Sequence, residues 1–469
     1  MSALSVLRLA ERVLGVLFLL CYGYQLYYLL VPLLCRHGVL RSREKPLPPL
    51  REASGGTGTF GGDLIPPSRE TAPTDAAARY AILICARNEQ NVIGPLLESI
   101  RAQDHPGKIE VFVAADNCTD ATAAVARSFG ATVYERFDSR RVGKGYALAW
   151  LLEKMQQRGH TAFDGYFVFD ADNLLRRDYV RQMDRTFRAG YPIVTGYRNS
   201  KNFADNWISA GYALWFLREA EYLNHARALC GTGCAVSGTG FLFSGEALRQ
   251  LGGWRFFLLT EDIQFSVEAA LHGLKIGYCP DAVFYDEQPT DFAQSWRQRL
   301  RWSRGYLQVC GRYGGRLLAG ALHVSTTCAD LLLSILPAVV LTLTGGAVQL
   351  AEAVLGLVPG AGLWQAFLPL LRGLGSTSLM LLALGALTMC SQWRCIAATP
   401  VQKLRYTVTF PLFMLTYLPV SVASLFGKVE WKPIRHSVSV PLERLTAQTG
   451  GTDDKKMSVG ACNTGRYGL

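Results

Sequence analysis

Apolar residues are distributed along this chain in two ways. Between Tyr80 and Gly311, short apolar runs alternate with amphipathic segments. The runs Tyr80–Ala86, Ile109–Ala115, Ala131–Tyr134 and Gly165–Phe169 read as strands, and Glu89–Ala102, Thr119–Phe129 and Ala147–Gln157 carry apolar positions at helical spacing. Strands alternating with helices predict an α/β fold, a mostly parallel sheet with flanking helices. Ligands of such sheets bind at the carboxyl ends of the strands, where Asn88, Asp116 and Asp170 fall.

Elsewhere the apolar segments are long. Val13–Leu34 carries no charge and exceeds the ~20 residues a membrane span needs. Its Tyr22, Tyr24, Tyr27 and Tyr28 suit an interfacial belt. A cleavable signal is the alternative, but the apolar core is long and no small-residue cleavage site follows cleanly. After His323 come Ala329–Leu343, Thr377–Cys390 and Tyr406–Leu425. Gly346–Leu371, broken at Pro359-Gly360, admits a span, an interfacial helix or part of a longer tilted span. The crossings leave a conflict of parity. A cytosolic loop at Gln392–Arg405 needs two crossings before it, and a third would carry Lys428, Lys432 and Arg435 outside unless the last segment is re-entrant or an extra span lies near Gly346. The pattern divides the chain into a membrane anchor (1–45), a Pro/Gly/Ser/Thr-rich linker (46–79), an α/β domain (80–322), membrane or interfacial helices (323–436) and a polar, disordered tail (437–469).

Composition sharpens this division. The net charge of +11 gathers beside the apolar segments, at Arg36, Arg41, Arg43 and Lys45 and again at Arg394, Lys403 and Arg405. That is a positive-inside bias, which places the α/β domain in the cytosol. No basic helix carries base-reading side chains, so nucleic acid is set aside as a partner. Cys230 and Cys234 have no second pair behind them and the seven histidines are dispersed, so no Cys- or His-based metal site is expected. Cys85, Cys118 and Cys279 lie on or beside strands and read as buried, reduced thiols.

Carboxylates supply the candidate chemistry. Asp170-Ala171-Asp172 follows the run Tyr166-Phe167-Val168-Phe169, and carboxylates at i and i+2 on a strand end can face a hard cation such as Mg2+ or Mn2+. A solvated acidic turn is the plainer alternative. Thr260-Glu261-Asp262 precedes the amphipathic Ile263–His272, so Asp262 can cap that helix. Beyond thirty-five intervening residues after Asp262 comes Gln298-Arg299-Leu300-Arg301-Trp302. Arg301 can fork onto phosphate oxygens, and Trp302 offers a flat apolar face. A basic interfacial helix touching anionic lipid, with Arg297, Arg299 and Arg304, is the alternative there. Gly143-Lys144-Gly145 lets backbone approach closely, but its spacing is not that of a P-loop, and a plain loop lysine remains possible. Glu89 can bias the first turn of the helix after it. Ser237-Gly238-Thr239-Gly240 reads as an ordinary turn or an acceptor loop, and Trp254 as acceptor wall or core.

Three carboxylate sites followed by Gln-x-x-Arg-Trp, between membrane segments, resemble the membrane-embedded family 2 glycosyltransferases, the group of cellulose, hyaluronan and poly-N-acetylglucosamine synthases and of ceramide glucosyltransferases. The resemblance runs from about Tyr80 to Trp302, roughly half the chain. It implies a GT-A-type domain acting as a hexosyl- or N-acetylhexosaminyltransferase on a UDP-sugar, with Mg2+ or Mn2+ and with inversion. By resemblance Asp262 is the general base. Asn88, Glu89, Asp116, Lys144 and Asp170 hold the nucleotide sugar, Asp172 and Asp170 hold the metal, and Gln298, Arg301 and Trp302 meet acceptor and diphosphate. The implied acceptor is a growing polysaccharide, with homo-oligomers or an export partner completing its path; single transfer to a lipid is the alternative. An integral protein of the plasma membrane is implied. Asp330 and Glu352 keep a transporter or scaffold open, but that reading leaves the carboxylate motifs unexplained.

Overall fold

A computed structural model describes residues 3–37, 39–40, 78–357, 363–426, 429 and 436. The expected linker, except residues 78 and 79, and the expected tail lie outside the described residues. Eight strands form one sheet: β1 (Tyr80–Ala86), β2 (Ile109–Asp116), β3 (Thr132–Arg136), β4 (Gly165–Asp170), β5 (Leu174–Leu175), β6 (Ile193–Ser200), β7 (Phe241–Phe243) and β8 (Ile276–Asp286), in the order β3-β2-β1-β4-β7-β6-β8-β5. The first four strands in that order are parallel, as the sequence predicts. β7 then runs antiparallel to β4 and β6, and β5 antiparallel to β8, so the sheet is mixed. These later strands are two to eleven residues long and two lack period-2 alternation over a useful length, which is why the sequence pattern missed them.

Alternate residues of β1 feed two cores, because successive side chains of a strand point to opposite faces. Tyr80, Ile82 and Ile84 pack with Ile93 and Leu96 of α2 (Ile93–Arg101) and Tyr179 and Met183 of α5 (Tyr179–Arg188). Ala81 and Leu83 pack with Leu148 and Leu151 of α4 (Lys144–Gln157), Leu214 of α6 (Trp207–Glu219) and Phe265 of α9 (Glu261–Leu271). Burial on both faces explains why β1 reads as an unbroken apolar run. Helix starts differ from expectation at two places. α2 begins at Ile93 because Asn88 adopts a left-handed φ of 58° and Glu89 starts a turn, its carbonyl accepting from Val92 N at 3.1 Å. α4 begins three residues early, so Lys144 opens a helix and is not in a loop.

The long helices attach to this domain from one side. α1 (Ala3–Arg36) packs Tyr28, Val31 and Cys35 onto Ala226 and Leu229 of the short α7 (Ala226–Cys230). After α10 (Phe292–Leu322), α11 (Thr326–Leu357) runs unbroken through Gly345-Gly346, and α12 (Leu363–Ser391) follows it as a second long helix. Both outer ends of this hairpin touch the α/β domain. Cys328 and Leu331 pack on Val267 and Val309, while Tyr197 donates to Gln392 at 2.6 Å and Asn199 donates to the Cys395 carbonyl at 2.8 Å.

By length and apolarity alone, Leu370–Ser391 and Pro400–Ser424 are each sufficient to cross a membrane, and Gly23–Cys35 and Thr326–Ile335 are shorter apolar stretches. The second long segment is held to the α/β domain along its length. It comprises α13 (Pro400–Leu415) and α14 (Tyr417–Ser424). Tyr406 donates to the Ala204 carbonyl (3.2 Å), Phe413 fills the space left by Gly211, and Arg304 donates to the Ser424 carbonyl (3.1 Å). A segment tied at both ends to one face does not leave that face. The last apolar segment thus lies along the α/β domain, while α11 and α12 form a hairpin whose outer ends meet it.

Candidate active site

A single cavity of 1280 Å3 opens at the carboxyl ends of β1, β2 and β4. Of the sequence-predicted residues, Glu89, Asp116, Lys144, Asp170 and Asp172 line one part of it, and Asp262, Gln298, Arg301 and Trp302 another. Asn88 is not on the wall. Its Oδ1 accepts from Thr119 N at 2.8 Å and so clamps the loop after β1 to the loop after β2; Arg87 reaches the wall instead. Trp254 is core, stacked on Phe265 with ring centroids 5.4 Å apart.

At the first end, Asp116 is buried and accepts from Arg136 at 2.5 Å. Burial still raises its pKa against the pull of that guanidinium. Lys144 bridges Asp170 and the Gly238 carbonyl, the latter at 2.7 Å. The helix start that aims Lys144 depends on Gly145, where a Cβ would stand 2.0 Å from the Phe256 carbonyl oxygen. Gly145→Ala is therefore expected to destabilise the domain by about 1–3 kcal/mol, the cost of overpacking, read as a lower thermal midpoint.

Asp172 is 4 % exposed and accepts from Glu287 N at 2.8 Å. Burial opposes its charge, but His436, Lys201, that backbone N–H and Arg198 outweigh it and hold the carboxyl below its ordinary range. His436 comes from the far end of the chain. Its Nδ1 stands 3.0 and 3.1 Å from the two Glu89 oxygens. Burial pulls the imidazole down, yet Asp172 and Glu89 push it up to about 10. A His with a raised folded pKa adds stability that is whole below its unfolded value of ~6.5 and is lost as pH climbs through the folded value. In chelator, the wild-type thermal midpoint is expected to fall between about pH 6.5 and pH 10. His436→Ala should flatten that slope; an unchanged slope would remove His436 from this carboxylate pair.

At the second end, Glu261 and Asp262 sit in the first turn of α9. Asp262 Oδ1 accepts from Ile263 N at 2.8 Å, and the Cβ that Gly238 lacks would lie 3.5 Å from Oδ2. Anchoring of the helix through Oδ1 thus leaves Oδ2 beside Gly238. Burial raises the Asp262 pKa, partly offset by the Ile263 N–H, Arg301 and Lys144. Burial and then Asp262 push Glu261 up to about 7. Arg301 donates to the Leu259 carbonyl at 2.8 Å beside them. Trp302 is held edge-on by Tyr212 and Phe216, with centroids 5.7 and 6.1 Å away, while still lining the cavity. Arg299 does not face lipid. It is fully buried, 4.8 Å from the Phe413 ring centroid and 5.0 Å from that of Tyr417, and donates to Thr416. It pins α13 and α14 to α10.

Several wall residues had escaped the sequence reading. Asp286 ends the apolar run Ala282–Tyr285 and accepts from Arg198 at 2.6 Å; burial pushes it up to about 6. The strand-end argument applied to Asp116 would have found it. Glu219 and His436 carried no such signal, since one lies inside a helix and the other follows the last apolar segment.

Carboxylates and cations thus gather at the strand ends of a mixed α/β sheet. The fold is of GT-A type. A mannosyltransferase from Pyrobaculum calidifontis, solved in complex with GDP-Man and Mn2+, shares it at a TM-score of 0.51 and 18% identity, over 89% of this chain and 99% of that one. Residues 77–305 match the family model described as Glycosyltransferase like family 2, and the chain thus carries a family 2 glycosyltransferase domain. Among curated relatives, a beta-monoglucosyldiacylglycerol synthase from Synechocystis is 27% identical over 244 residues, 50% of each chain. A poly-beta-1,6-N-acetyl-D-glucosamine synthase from Staphylococcus epidermidis is 26% identical over 237 residues, 49% of this chain and 55% of that one. The chain spans about half the length of these relatives.

Proposed function

We propose that this chain is an inverting membrane glycosyltransferase that moves a hexosyl or N-acetylhexosaminyl unit from a UDP-sugar to an acceptor hydroxyl. One observation carries the reading: four motifs separated along the sequence line one cavity. Asp116 and Lys144 would face the nucleotide. Arg301 would bond the diphosphate, and Asp262 would take the acceptor proton as the oxygen attacks the anomeric carbon from the side opposite the leaving diphosphate. The raised Asp262 pKa suits a base that must recover its charge near neutral pH.

No cluster of three or more His, Cys, Asp or Glu that would hold a metal by itself exists among the described residues. One or two carboxylates completed by substrate phosphates are the usual Mg2+ arrangement, and Asp172 with Asp170 fits it. The ion would neutralise charge on the departing diphosphate. A neighbouring protein solved with GDP-Man and Mn2+ supports this reading of the cofactor.

α1, α11 and α12 would cross the plasma membrane, with α13 and α14 on its cytosolic face beside the catalytic domain. The acceptor remains a growing polysaccharide or a lipid, and relatives of both kinds exist. A survey of labelled UDP-glucose, UDP-N-acetylglucosamine and UDP-galactose with Mg2+ or Mn2+ tests the proposal. Release of UDP from one donor in preference to the others, abolished by chelator, is the expected result. Binding of no nucleotide by the folded protein would contradict it.

A further inference from the structure

The cavity does not stop at the carboxylates. It continues between α1, α11 and α12 as far as Glu11 and Gln349, whose side chains meet at 3.4 Å. Glu11 and Leu29 both line it, and on a straight helix they stand ~27 Å apart, close to the ~30 Å of a bilayer's hydrocarbon core. The walls of this slot are chiefly aliphatic, with Leu14, Leu26 and Leu29 on α1 and Leu374, Leu381 and Leu384 on α12. Of its polar members, Gln25, Ser334 and Ser376 are engaged by Arg218, by Tyr24 and Arg227, and by the Gly373 carbonyl, and Thr377 also lines it. Among the described residues, no lining residue of α1, α11 or α12 is aromatic. A path for saccharide would offer flat rings, and the described walls of this slot offer none.

Four glycines make the slot wide. Gly15, Gly23, Gly345 and Gly346 all line it, and a Cβ on any of them would meet nothing within 4 Å. Glycine inside a helix costs up to ~1 kcal/mol against alanine, and here no close helix contact repays that cost. At the top of the slot, beside Asp262, Thr260 Oγ1 and Gln298 Oε1 are buried with no hydrogen-bond partner among the described residues. Thr260 is only 4 % exposed. Glu219 lines the same point, and the chain leaves it through a π-helical turn, Ala220–His225, an irregularity that recurs at functional sites.

We propose that the acceptor is an acyl lipid with a free hydroxyl head, its chain in the slot between α1, α11 and α12 and its head held by Thr260, Gln298 and Glu219. The inference rests on the transferase reading above and names its acceptor. Gln298 Oε1 and the Glu219 carboxylate accept hydrogen bonds, which a hydroxylated head donates. In the reaction the lipid oxygen forms the new bond to the anomeric carbon and its proton passes to Asp262. The bond from that carbon to the diphosphate oxygen breaks, and the nucleoside diphosphate leaves with the electron pair. The glycosylated lipid then slides back into the bilayer after one addition.

The test uses the full chain in phosphatidylcholine vesicles with or without diacylglycerol, supplied with labelled UDP-sugars. Label should enter the organic phase as a lipid bearing one sugar, only when diacylglycerol is present. Gly346→Trp should lower that transfer about tenfold or more, as overfilling a pocket does, with nucleotide binding as the check that it is folded. Leu379→Trp, on the outward side of α12 and 68 % exposed, should leave transfer unchanged. Glu219→Gln should raise the KM for lipid and leave nucleotide affinity alone. A water-soluble ladder of products, or undiminished lipid transfer by Gly346→Trp, would overturn the lipid acceptor and leave the transferase reading standing. Loss of all nucleotide binding in the wild type would strike the transferase reading itself.

Discussion

Asp262→Asn is expected to lower sugar transfer by ~10²–10⁴-fold, the usual contribution of a general base. Asn keeps the size of the side chain and can still accept from Ile263 N, so α9 should start as before. Nucleotide affinity should hardly change, because the proposed role of Asp262 is toward the acceptor hydroxyl and not the nucleotide. The pH profile separates a lost base from a lost fold. Burial raises the Asp262 pKa, so the acid limb of wild-type kcat/KM should lie above the ordinary carboxylate range of ~4, with activity rising as pH rises. Glu261 and Asp262 titrate together, so the limb belongs to the pair. The residual activity of Asp262→Asn should lose that limb. Near-normal turnover would remove Asp262 from the role.

The second large effect is expected at Asp172. Asp172→Ala should weaken metal-dependent nucleotide binding by at least about 10–100-fold, the loss that removal of mere outer-shell partners already causes. The side chain also organises its surroundings, accepting from Glu287 N and lying close to His436 and Lys201. Affinity must therefore be measured both with divalent ion and in chelator. Wild type and variant should differ strongly with the ion and little without it. A difference of the same size in chelator would mean that Asp172 supports the pocket electrostatically and does not hold an ion.

Much of this site was legible because strand ends leave a local signature. An apolar run followed by a carboxylate located Asp116 and Asp170, and fixed spacing connected Asp262 to Gln298. Legibility failed where position depends on contacts distant in sequence. Asn88 belongs to a strand-end motif, yet its side chain is consumed in joining two loops. Arg299 alternates with Gln298 and Arg301 as one more basic residue, and only packing reveals that it turns inward beneath α13 and α14. His436 reaches Glu89 across 347 residues of chain. The antiparallel β7 is three residues long, too short for a period to be recognised. The apolar segment at Tyr406–Leu425 was legible as apolar, but its bonds to Ala204, Arg299 and Arg304 were not.

The central claim is a single displacement by a hydroxyl that Asp262 deprotonates. The most direct measurement is the anomeric configuration of the transferred sugar, read by NMR on product made with the preferred donor. A one-step attack predicts a linkage of configuration opposite to that of the donor, formed by the wild type and nearly absent with Asp262→Asn. A product that keeps the donor configuration would contradict the account, because it requires two displacements or a front-side route in which Asp262 is not the base.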